Sequence, residues 1–288
     1  MFEQLALIGC GLMGGSFALA LKRAGLVRRV VGYSKSPSTT ERARQLGVID
    51  VEAPSALLAV SGSDLVLLAV PVAATEATLK AIRHLVRRDM LIMDVGSTKR
   101  EVIEVARRVL QGDVGAFVPC HPMAGKEVAG VEHADPDLYT GRQVILTPIE
   151  RTLVAQLERA EQVWTALGCR VVKMSPEAHD AACAAVSHLP HLLAYALMDS
   201  ITSQRQAEQF LGLAGPGFRD FTRIAASDAK IWRDILLSNR VELLEQSRRL
   251  RESLARFEAL VAEGDGQRLE ELIERASRAR SSWRLGGP

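Results

Sequence analysis

The chain has 288 residues, a length that predicts two domains. Of these residues 48% are hydrophobic and 24% charged, which is typical of a soluble globular protein. Its net charge of +2 is too small to indicate a nucleic-acid surface, and no dense Lys/Arg run with interleaved aromatic residues occurs. The four cysteines lie far apart without a CxxC pair, which argues against a metal site and predicts a reduced, cytoplasmic protein.

Short β-branched runs alternate with segments of helical periodicity over the first half of the chain. The predicted strands are 5–9, 29–33, 65–70 and 90–94, and helices are predicted after them at 14–24, 38–46, 75–85 and 97–110. Two further strands, 143–147 and 170–174, flank a helix at about 152–167. Such a series predicts an α/β fold whose mostly parallel sheet is covered by helices on both faces. We assign this domain to residues 1–174.

The pattern changes after Ser175-Pro176, where no convincing strand remains. Helical periodicity covers 178–202, 204–211, 228–236 and a long stretch from Arg240 onward, which predicts an all-helical domain over residues 175–288. The uncharged stretch 181–198 contains two histidines and a proline, which favours a buried helix over a membrane span. The last stretch has more apolar positions than one helix can bury alone, so we expect packing against a second subunit. These positions are Leu243, Leu244, Leu250, Leu254, Phe257 and Leu260.

A glycine motif closes the first predicted strand and opens the first helix. Its residues are Gly9, Cys10, Gly11, Leu12, Met13 and Gly14. The first glycine would allow a tight turn, the second a close approach of the backbone to a pyrophosphate, and the third close packing of helix on strand. Because this GxGxxG has the strand–turn–helix context at the start of a βαβ series, it predicts a Rossmann-type dinucleotide-binding domain.

The end of the 29–33 strand bears on the choice of cofactor. A carboxylate there would hold the ribose 2′-OH of NAD, but the segment that follows is Ser34-Lys35-Ser36. The two hydroxyls can donate to a 2′-phosphate and Lys35 can neutralise it. We therefore predict NADP as the preferred cofactor. If Lys35 is an ordinary loop lysine, NAD binds as well.

Two further segments follow predicted strands and therefore lie at the ligand-binding edge of the sheet. Val70 ends the 65–70 run and Pro71 comes directly after it, where the proline turns the chain over that edge. Ser97 follows the next strand in Asp94-Val95-Gly96-Ser97-Thr98-Lys99. Its spacing to Glu101 resembles a capping box, and a helix-capping role is compatible with a catalytic one.

His121 lies between two prolines, in the segment Pro119-Cys120-His121-Pro122-Met123-Ala124-Gly125. Both prolines restrict the backbone, and a histidine in such a glycine-containing loop is not typical of a core. A positioned imidazole is suited to take a proton from a hydroxyl. Cys120 beside it is expected to serve packing only.

Four motifs together resemble the prephenate/arogenate (cyclohexadienyl) dehydrogenase family. They are DVGSTK at 94–99, HPMAGKE at 121–127, SHLPH at 187–191 and GFRDFTRIAASDAKIWRDI at 217–235. The resemblance extends from Gly9 to about Asn239. It implies an NAD(P)-dependent oxidoreductase of tyrosine biosynthesis that oxidatively decarboxylates prephenate to 4-hydroxyphenylpyruvate, or arogenate to tyrosine. It also implies a homodimer formed through the C-terminal helices.

The resemblance carries residue roles onto this chain. It implies that His121 is the catalytic histidine, which hydrogen-bonds the ring hydroxyl of the substrate, and that Ser97 orients this histidine near the nicotinamide. It implies that Arg223 holds a substrate carboxylate and that His191 lies in the substrate pocket. Glu127 corresponds to an acidic residue at the rim of that pocket.

Three positions stay open from the sequence. Many relatives have a small polar residue where Lys126 stands, so this lysine either attracts a side-chain carboxylate of the substrate or points outward. His188 is either a structural histidine or part of the substrate pocket, and Trp232 is expected to pack in the core. The sequence does not decide between prephenate and arogenate.

Two other functions fit the same domain plan. One is a β-hydroxyacid dehydrogenase or imine reductase, which would carry its catalytic lysine or aspartate on the C-terminal helices. The other is a nucleotide sensor without catalysis, which would have a degraded pocket. The HPMAG and SHLPH motifs argue against the first, and the retained Ser97, His121, His191 and Arg223 argue against the second.

Overall fold

The computed structural model describes residues 1–126 and 128–284, and its first half contains a six-stranded parallel sheet. The strands are β1 (Phe2–Ile8), β2 (Val27–Tyr33), β3 (Val51–Glu52), β4 (Leu65–Leu68), β5 (Leu91–Asp94) and β6 (Phe117–Val118). They lie in the order β3-β2-β1-β4-β5-β6. The direction of this order reverses between β1 and β4, and ligands of such sheets bind at the carboxyl ends of the strands beside that point.

Helices cover both faces of this sheet. One face packs against α1 (Leu12–Arg23) and α6 (Val154–Ala166), and α2 (Pro37–Gln45) borders β2 and β3. The other face packs against α3 (Ala56–Val60), α4 (Thr75–Ile82) and α5 (Arg100–Leu110). Because side chains alternate along a strand, Leu65 and Leu67 of β4 enter the first core while Val66 and Leu68 enter the second. This two-sided burial explains why the strands are continuous apolar runs.

A second, smaller sheet contains three strands, β7 (Cys120–Pro122), β8 (Gln143–Leu146) and β9 (Arg170–Lys173). β8 pairs antiparallel with β7 and parallel with β9, so the two strands predicted at 143–147 and 170–174 pair with each other. Trp164 of α6 is fully buried and meets the rings of Phe17 and Tyr139 edge to face. The strand β7 was not indicated by the sequence, since a three-residue strand flanked by prolines has no detectable alternation.

The chain after Ser175 is helical. Its elements are α7 (Pro176–Cys183), one π-helical turn (Ala184–His188), α8 (Leu189–Thr202), α9 (Ala207–Gly212), α10 (Pro216–Thr222), α11 (Ala229–Ser238), α12 (Arg240–Glu263) and α13 (Gly266–Ser282). Within the described residues 175–284 no strand occurs, as predicted. The π turn lies directly before Pro190, whose missing N–H cannot bond to the preceding turn.

The run 176–202 is long and apolar enough to cross a membrane by length and composition, with a mean hydropathy of 1.4 over its best window. One such helix is weak evidence for a span. Only 22% of that window is buried, so the prediction of a buried helix was wrong for the single subunit. Exposed apolar side chains also occur farther along, at Leu244, Leu254 and Val261 of α12, and they are a surface that the predicted second subunit would cover.

Candidate active site

The glycine motif forms a tight turn between β1 and α1. Gly9 has φ +99°, and a Cβ there would lie 2.2 Å from the carbonyl oxygen of Ala69. A Cβ on Gly14 would lie 2.2 Å from the carbonyl oxygen of Gly9. Gly11 differs, because nothing lies within 4 Å of the place where its Cβ would be. Space is therefore kept open above Gly11 at the N-terminus of α1, as a bound pyrophosphate requires.

A cavity of about 320 Å³ adjoins this turn. It is lined by the candidate cofactor residues Gly11, Leu12, Met13, Val70 and Pro71, together with Ser97. The glycine motif and the two strand ends thus meet at one place, which fits a dinucleotide running along the carboxyl edge of the sheet. Gly9 and Gly14 shape the turn through their close backbone contacts.

The segment 34–36 follows β2 beside the glycine motif. The hydroxyl oxygen of Ser34 accepts a hydrogen bond from the N–H of Cys10 at 2.9 Å, which ties the two loops together. The hydroxyl of Ser36 lies 2.8 Å from that of Ser38, and Lys35 is exposed. These groups carry donors and a positive charge at the position where a cofactor's 2′ substituent would lie.

A second cavity, of about 620 Å³, lies between the main sheet and the helical domain. His121, Lys126, His191 and Trp232 contribute to its wall. Ser97 lines both cavities, as do Gly125, Lys126, Val128, Ala129 and Ile231. The two cavities are therefore contiguous, and a ligand in the second would face a cofactor in the first across Ser97.

His121 lies on a strand rather than in a loop, which corrects the sequence-based prediction. It is the middle residue of β7 and is paired with Ile145 of β8, and its side chain is 9% exposed. The backbone pairing holds the residue more rigidly than the flanking prolines alone would do. The imidazole is thus a buried group that reaches the wall of the second cavity.

Nδ1 of His121 lies 2.8 Å from Nε2 of His179. Nδ1 of His179 in turn lies 2.7 Å from a carboxylate oxygen of Asp180. All three side chains are buried. Because Nδ1 of His121 is used in this contact, Nε2 is the ring nitrogen left to meet a ligand.

Burial lowers the pKa of His121 well below its ordinary value, and the nearby His179, Lys99 and His188 act in the same direction. His121 is therefore neutral at physiological pH and can accept a proton. Burial opposes ionisation of Asp180, but hydrogen bonds from His179 and from two backbone N–H groups outweigh it, so the pKa of Asp180 lies below its ordinary range. The cluster consequently holds one buried carboxylate at its inner end.

The start of α5 is capped by Asp180 and not by Ser97. The carboxylate of Asp180 accepts hydrogen bonds from the N–H groups of Lys99 and Arg100 at 2.8 and 2.9 Å. The helix begins at Arg100, so the predicted capping role of Ser97 was wrong, and its side chain lies at the cavity wall instead. A carboxylate from a distant helix satisfies the exposed N–H groups and complements the helix dipole.

A buried ion pair supports the strand that carries His121. The ammonium group of Lys99 donates to the carboxylate of Asp94 and, at 2.7 Å, to the carbonyl oxygen of Cys120. The other oxygen of Asp94 accepts from the N–H of Cys120 at 2.9 Å. The DVGSTK motif thereby fastens the end of β5 to the residue before His121.

His191 and Trp232 form part of one wall of the second cavity. Their rings stack with centroids 3.4 Å apart and planes inclined by 19°. Trp232 therefore lines the cavity and is not a core residue as expected from the sequence. His191 keeps its orientation through a 2.9 Å contact between Nδ1 and the carbonyl oxygen of Ser187, to which the ring donates.

His188 lies away from the wall of this cavity. It is 1% exposed, and its Nδ1 accepts from the side-chain N–H of Asn239 at 3.1 Å. The same Asn239 amide donates to the carbonyl oxygen of Asp180 at 2.8 Å. Of the two sequence alternatives for His188, these contacts correspond to the structural one. The two histidines of SHLPH thus have different surroundings, since His188 ends the π turn and His191 lies in α8.

Lys126, Arg223 and Glu127 are the remaining residues that the sequence assigned to the substrate. Lys126 lines both cavities and forms a 2.9 Å ion pair with Asp135. Arg223 is an exposed residue that begins a 3₁₀ turn, and the next residue, Ile224, lines the second cavity. Glu127 lies outside the described residues.

Three potential metal-ligand atoms, from His121, His179 and Cys183, lie within 4.8 Å of one another. Cys183 Sγ lies 3.5 Å from His179 Nε2. Burial raises the pKa of the Cys183 thiol to about 12. The hydrogen bonds of the two histidines account for the arrangement without an ion.

His179 and Asp180 were missed by the sequence reasoning. They lie three and four residues after Pro176 and look like the polar first turn of a helix. The available signal was a histidine next to an aspartate at the start of the helical domain, but sequence spacing does not reveal that this turn packs against α5 and β7.

Comparisons with known proteins identify the family of this chain. The family model described as prephenate dehydrogenase, nucleotide-binding domain, matches residues 17–173. The one described as prephenate dehydrogenase, dimerization domain, matches residues 175–275. Together they cover most of the chain. The predicted fold class, a Rossmann-type domain followed by a helical domain, is thereby confirmed.

Individual relatives extend over nearly the whole chain. A prephenate dehydrogenase of Bacillus subtilis is 37% identical over 85% of this chain and 67% of its own length. A cyclohexadienyl dehydrogenase of Zymomonas mobilis is 34% identical over 97% of this chain and 96% of its own. The crystal structure of prephenate dehydrogenase from Aquifex aeolicus with hydroxyphenyl propionate and NAD⁺ superposes with a TM-score of 0.92 at 34% identity, covering 98% of both chains. The chain therefore belongs to the prephenate dehydrogenase family of oxidoreductases.

Proposed function

We propose that this protein oxidatively decarboxylates prephenate or arogenate with NAD(P), as an enzyme of tyrosine biosynthesis. The observation that carries the proposal is the contiguity of the two cavities at Ser97, with the buried imidazole of His121 at the wall of the second. A cyclohexadienol in the second cavity would present its hydroxyl to His121 and its C4–H bond to the cofactor. A β-hydroxyacid dehydrogenase or imine reductase of the same domain plan is not favoured by the family matches.

The proposed chemistry is a coupled loss of a proton, a hydride and carbon dioxide. Nε2 of neutral His121 accepts a hydrogen bond from the C4 hydroxyl and takes its proton. A bound nicotinamide ring supplies the hydride acceptor. The C4–H bond would break with its electron pair leaving as hydride, while C4 and its oxygen form a carbonyl. The electron pair of the bond to the ring carboxylate would then enter the ring as carbon dioxide leaves, and the new phenolate oxygen would take the proton back from Nε2 of His121. The aromatic product makes the step irreversible. Ser97 positions the imidazole at the junction of the cavities, a proximity effect.

Substrate is held by charge and shape at the rim. The guanidinium of Arg223 suits a carboxylate because it can donate two parallel hydrogen bonds. His191 contributes its ring at the cavity wall, and the family resemblance assigns Glu127 an acidic role in substrate binding. Lys126 is already paired with Asp135, so it would have to exchange that partner in order to meet a substrate carboxylate.

The cofactor preference we propose is NADP. Two hydroxyls and one ammonium group follow β2, and the described residues 34–36 include no carboxylate that would repel a 2′-phosphate. The relevant residues are Ser34, Lys35 and Ser36. NAD remains a substrate for the same cleft if Lys35 stays in solvent.

We also propose a domain boundary and a state of assembly for the chain. We place the dinucleotide-binding domain at residues 1–174 and the helical domain at 175–288, with β9 ending at Lys173 and α7 beginning at Pro176. We propose a cytoplasmic homodimer that forms through the helical domain, because the helices there expose apolar side chains. No contact with nucleic acid or membrane is part of the proposal.

The test is an initial-rate assay of prephenate or arogenate, each with NAD or NADP, followed by the absorbance of the reduced nicotinamide. Turnover in at least one combination is expected, with faster turnover on NADP.

The variant His121→Asn should reduce kcat by about 10²- to 10⁴-fold, the usual contribution of acid–base catalysis, while the cofactor Kd stays within about twofold. The exposed His84 offers a matched control, and His84→Asn should behave as wild type. Cofactor binding without turnover in any combination would overturn the proposal.

A further inference from the structure

We infer that His179 and Asp180 are positioning residues that fix which nitrogen of His121 carries a proton. The inference rests on the proposed role of His121 and deepens it. Two contacts carry it: the rings of His121 and His179 meet at 2.8 Å, and the ring of His179 meets the carboxylate of Asp180 at 2.7 Å. All three side chains are buried.

The first step of the argument is the state of Asp180. Its two oxygens accept from the N–H groups of Lys99 and Arg100, and it lies at the N-terminus of the eleven-residue α5. These donors and the helix dipole favour the ionised carboxylate. An ionised carboxylate has lone pairs only, so the nitrogen of His179 that faces it must donate.

The second step is the state of His179. With Nδ1–H donating to Asp180, a neutral His179 has a lone pair on Nε2. That lone pair is directed at Nδ1 of His121, 2.8 Å away. Nδ1 of His121 therefore carries the hydrogen.

The third step gives His121 its function. A neutral imidazole with hydrogen on Nδ1 has its lone pair on Nε2, which is the nitrogen available to the second cavity. The buried chain Asp180–His179–His121 thus sets His121 as a hydrogen-bond acceptor before substrate arrives. The other tautomer would present an N–H to the substrate hydroxyl and could not take its proton.

The same chain acts when the proton moves. The O–H bond of the substrate breaks, a bond forms between the hydrogen and Nε2 of His121, and the ring becomes an imidazolium. Nδ1–H stays hydrogen-bonded to His179, and the carboxylate of Asp180 balances the positive charge through the intervening ring. No oxidant or further reactant is needed for this step. The nearby Lys99 ammonium opposes that charge, which makes the inner carboxylate more important.

The decisive measurement is nitrogen-15 NMR of the intact protein with labelled histidine. Wild type should show His121 as the Nδ1–H tautomer near neutral pH, and His179→Ala should shift it to the Nε2–H tautomer. This readout does not depend on turnover. A wild-type His121 found in the Nε2–H form would overturn the inference whether or not the protein acts on prephenate or arogenate, and absent activity with the expected tautomer would overturn only the proposed function.

Kinetics give the second readout. His179→Ala should lower kcat by about 10²-fold or more, with substrate KM and cofactor Kd within about threefold, because the base loses its orientation and tautomer. His179→Gln keeps an amide oxygen that can accept a hydrogen bond from His121 and should recover about tenfold of the lost kcat.

Cys183→Ala is the matched control, since Cys183 is buried and contacts both histidines without belonging to the Asp180–His179–His121 hydrogen-bond chain. If His179→Ala does not fold, the kcat of His179→Gln and the tautomer of His121 in the wild-type NMR spectrum test the inference instead. A kcat of folded His179→Ala within about threefold of wild type would refute the role.

Discussion

His191 and Trp232 stack face to face with their ring centroids 3.4 Å apart. The first lies on α8 and the second on α11, so the stack joins two helices at the wall of the second cavity. A stacked aromatic pair contributes about 0.5–1.5 kcal/mol beyond its buried area. The pair therefore ties the shape of this wall to the packing of the helical domain.

Loss of this stack should weaken substrate binding more than catalysis. Trp232→Leu is expected to raise the substrate KM by about 3- to 10-fold, because His191 loses the ring that fixes its position at the cavity wall, with kcat within about twofold. Initial rates across substrate concentration test this. Trp283→Leu, at an exposed tryptophan near the chain's end, is the control and should leave both constants unchanged. A change confined to kcat would contradict the assigned role.

The glycine motif predicts two different failures for two substitutions. Gly11→Ala adds a methyl group where nothing lies within 4 Å, so the protein should fold normally and lose cofactor affinity by about tenfold or more. Gly14→Ala places a Cβ 2.2 Å from the carbonyl oxygen of Gly9 and should destabilise the fold, by roughly 1–3 kcal/mol. Thermal unfolding and cofactor titration separate the two effects. Equal loss of stability in both variants would refute the distinction.

Arg223 is expected to act in binding. Arg223→Ala should raise the substrate KM by about 10- to 100-fold, because a hydrogen bond to a charged group contributes about 1.5–3 kcal/mol, and kcat should change little. Arg219 lies one helical turn earlier, is exposed and pairs with Asp220, so Arg219→Ala is a suitable control. If Arg223→Ala lowered kcat at unchanged KM, the binding role would be wrong.

Stability should fall as the solution becomes acidic. Burial lowers the pKa of His188 from 6.5 to about 4, so the unfolded chain binds a proton there before the folded one does. The associated stability is complete above pH 6.5 and is lost as the pH falls toward 4, by up to about 3 kcal/mol. Burial also lowers the pKa of His191 and acts in the same direction.

Urea unfolding at pH 8, 6.5, 5 and 4.5 measures this loss. His188→Gln should be less stable than wild type at pH 8 but should lose less stability between pH 6.5 and 4.5. His84→Gln, at an exposed site, should follow the wild-type curve. Parallel curves for wild type and His188→Gln would show that the buried imidazole does not titrate in this range.

The exposed apolar face of α12 should lie in the dimer interface. Leu254 and Val261 are 52% and 65% exposed and are seven residues apart, hence on one side of the helix. The double variant Leu254→Asp/Val261→Asp is expected to sediment as a monomer at micromolar concentration. Val154→Asp, at an exposed position of α6, is the control and should stay dimeric. A dimer that survives the double variant would move the interface elsewhere.

The strands of the main sheet and the glycine turn were largely predictable from the sequence. The apolar runs at 5–9, 29–33, 65–70 and 90–94 predicted four strands of the main sheet, because strands buried on both faces need continuous apolar residues. The glycine motif predicted the turn after β1, since only glycine allows the close backbone contact at Gly9 and Gly14. Very short elements such as β3 and β7 carry too few residues for a periodic signal.

What the sequence determined by itself was the order of the elements, the glycine turn and the motifs that resemble a known family. The tertiary structure decided which of these residues meet. Asp180 caps α5 across 80 positions of sequence, and His179 reaches His121 across 58. It also separated His188 from His191 and brought Trp232 to the cavity. Such contacts depend on the packing of α7 and α11 against the sheet domain, and packing partners far apart in the chain leave no periodicity that a single sequence can reveal.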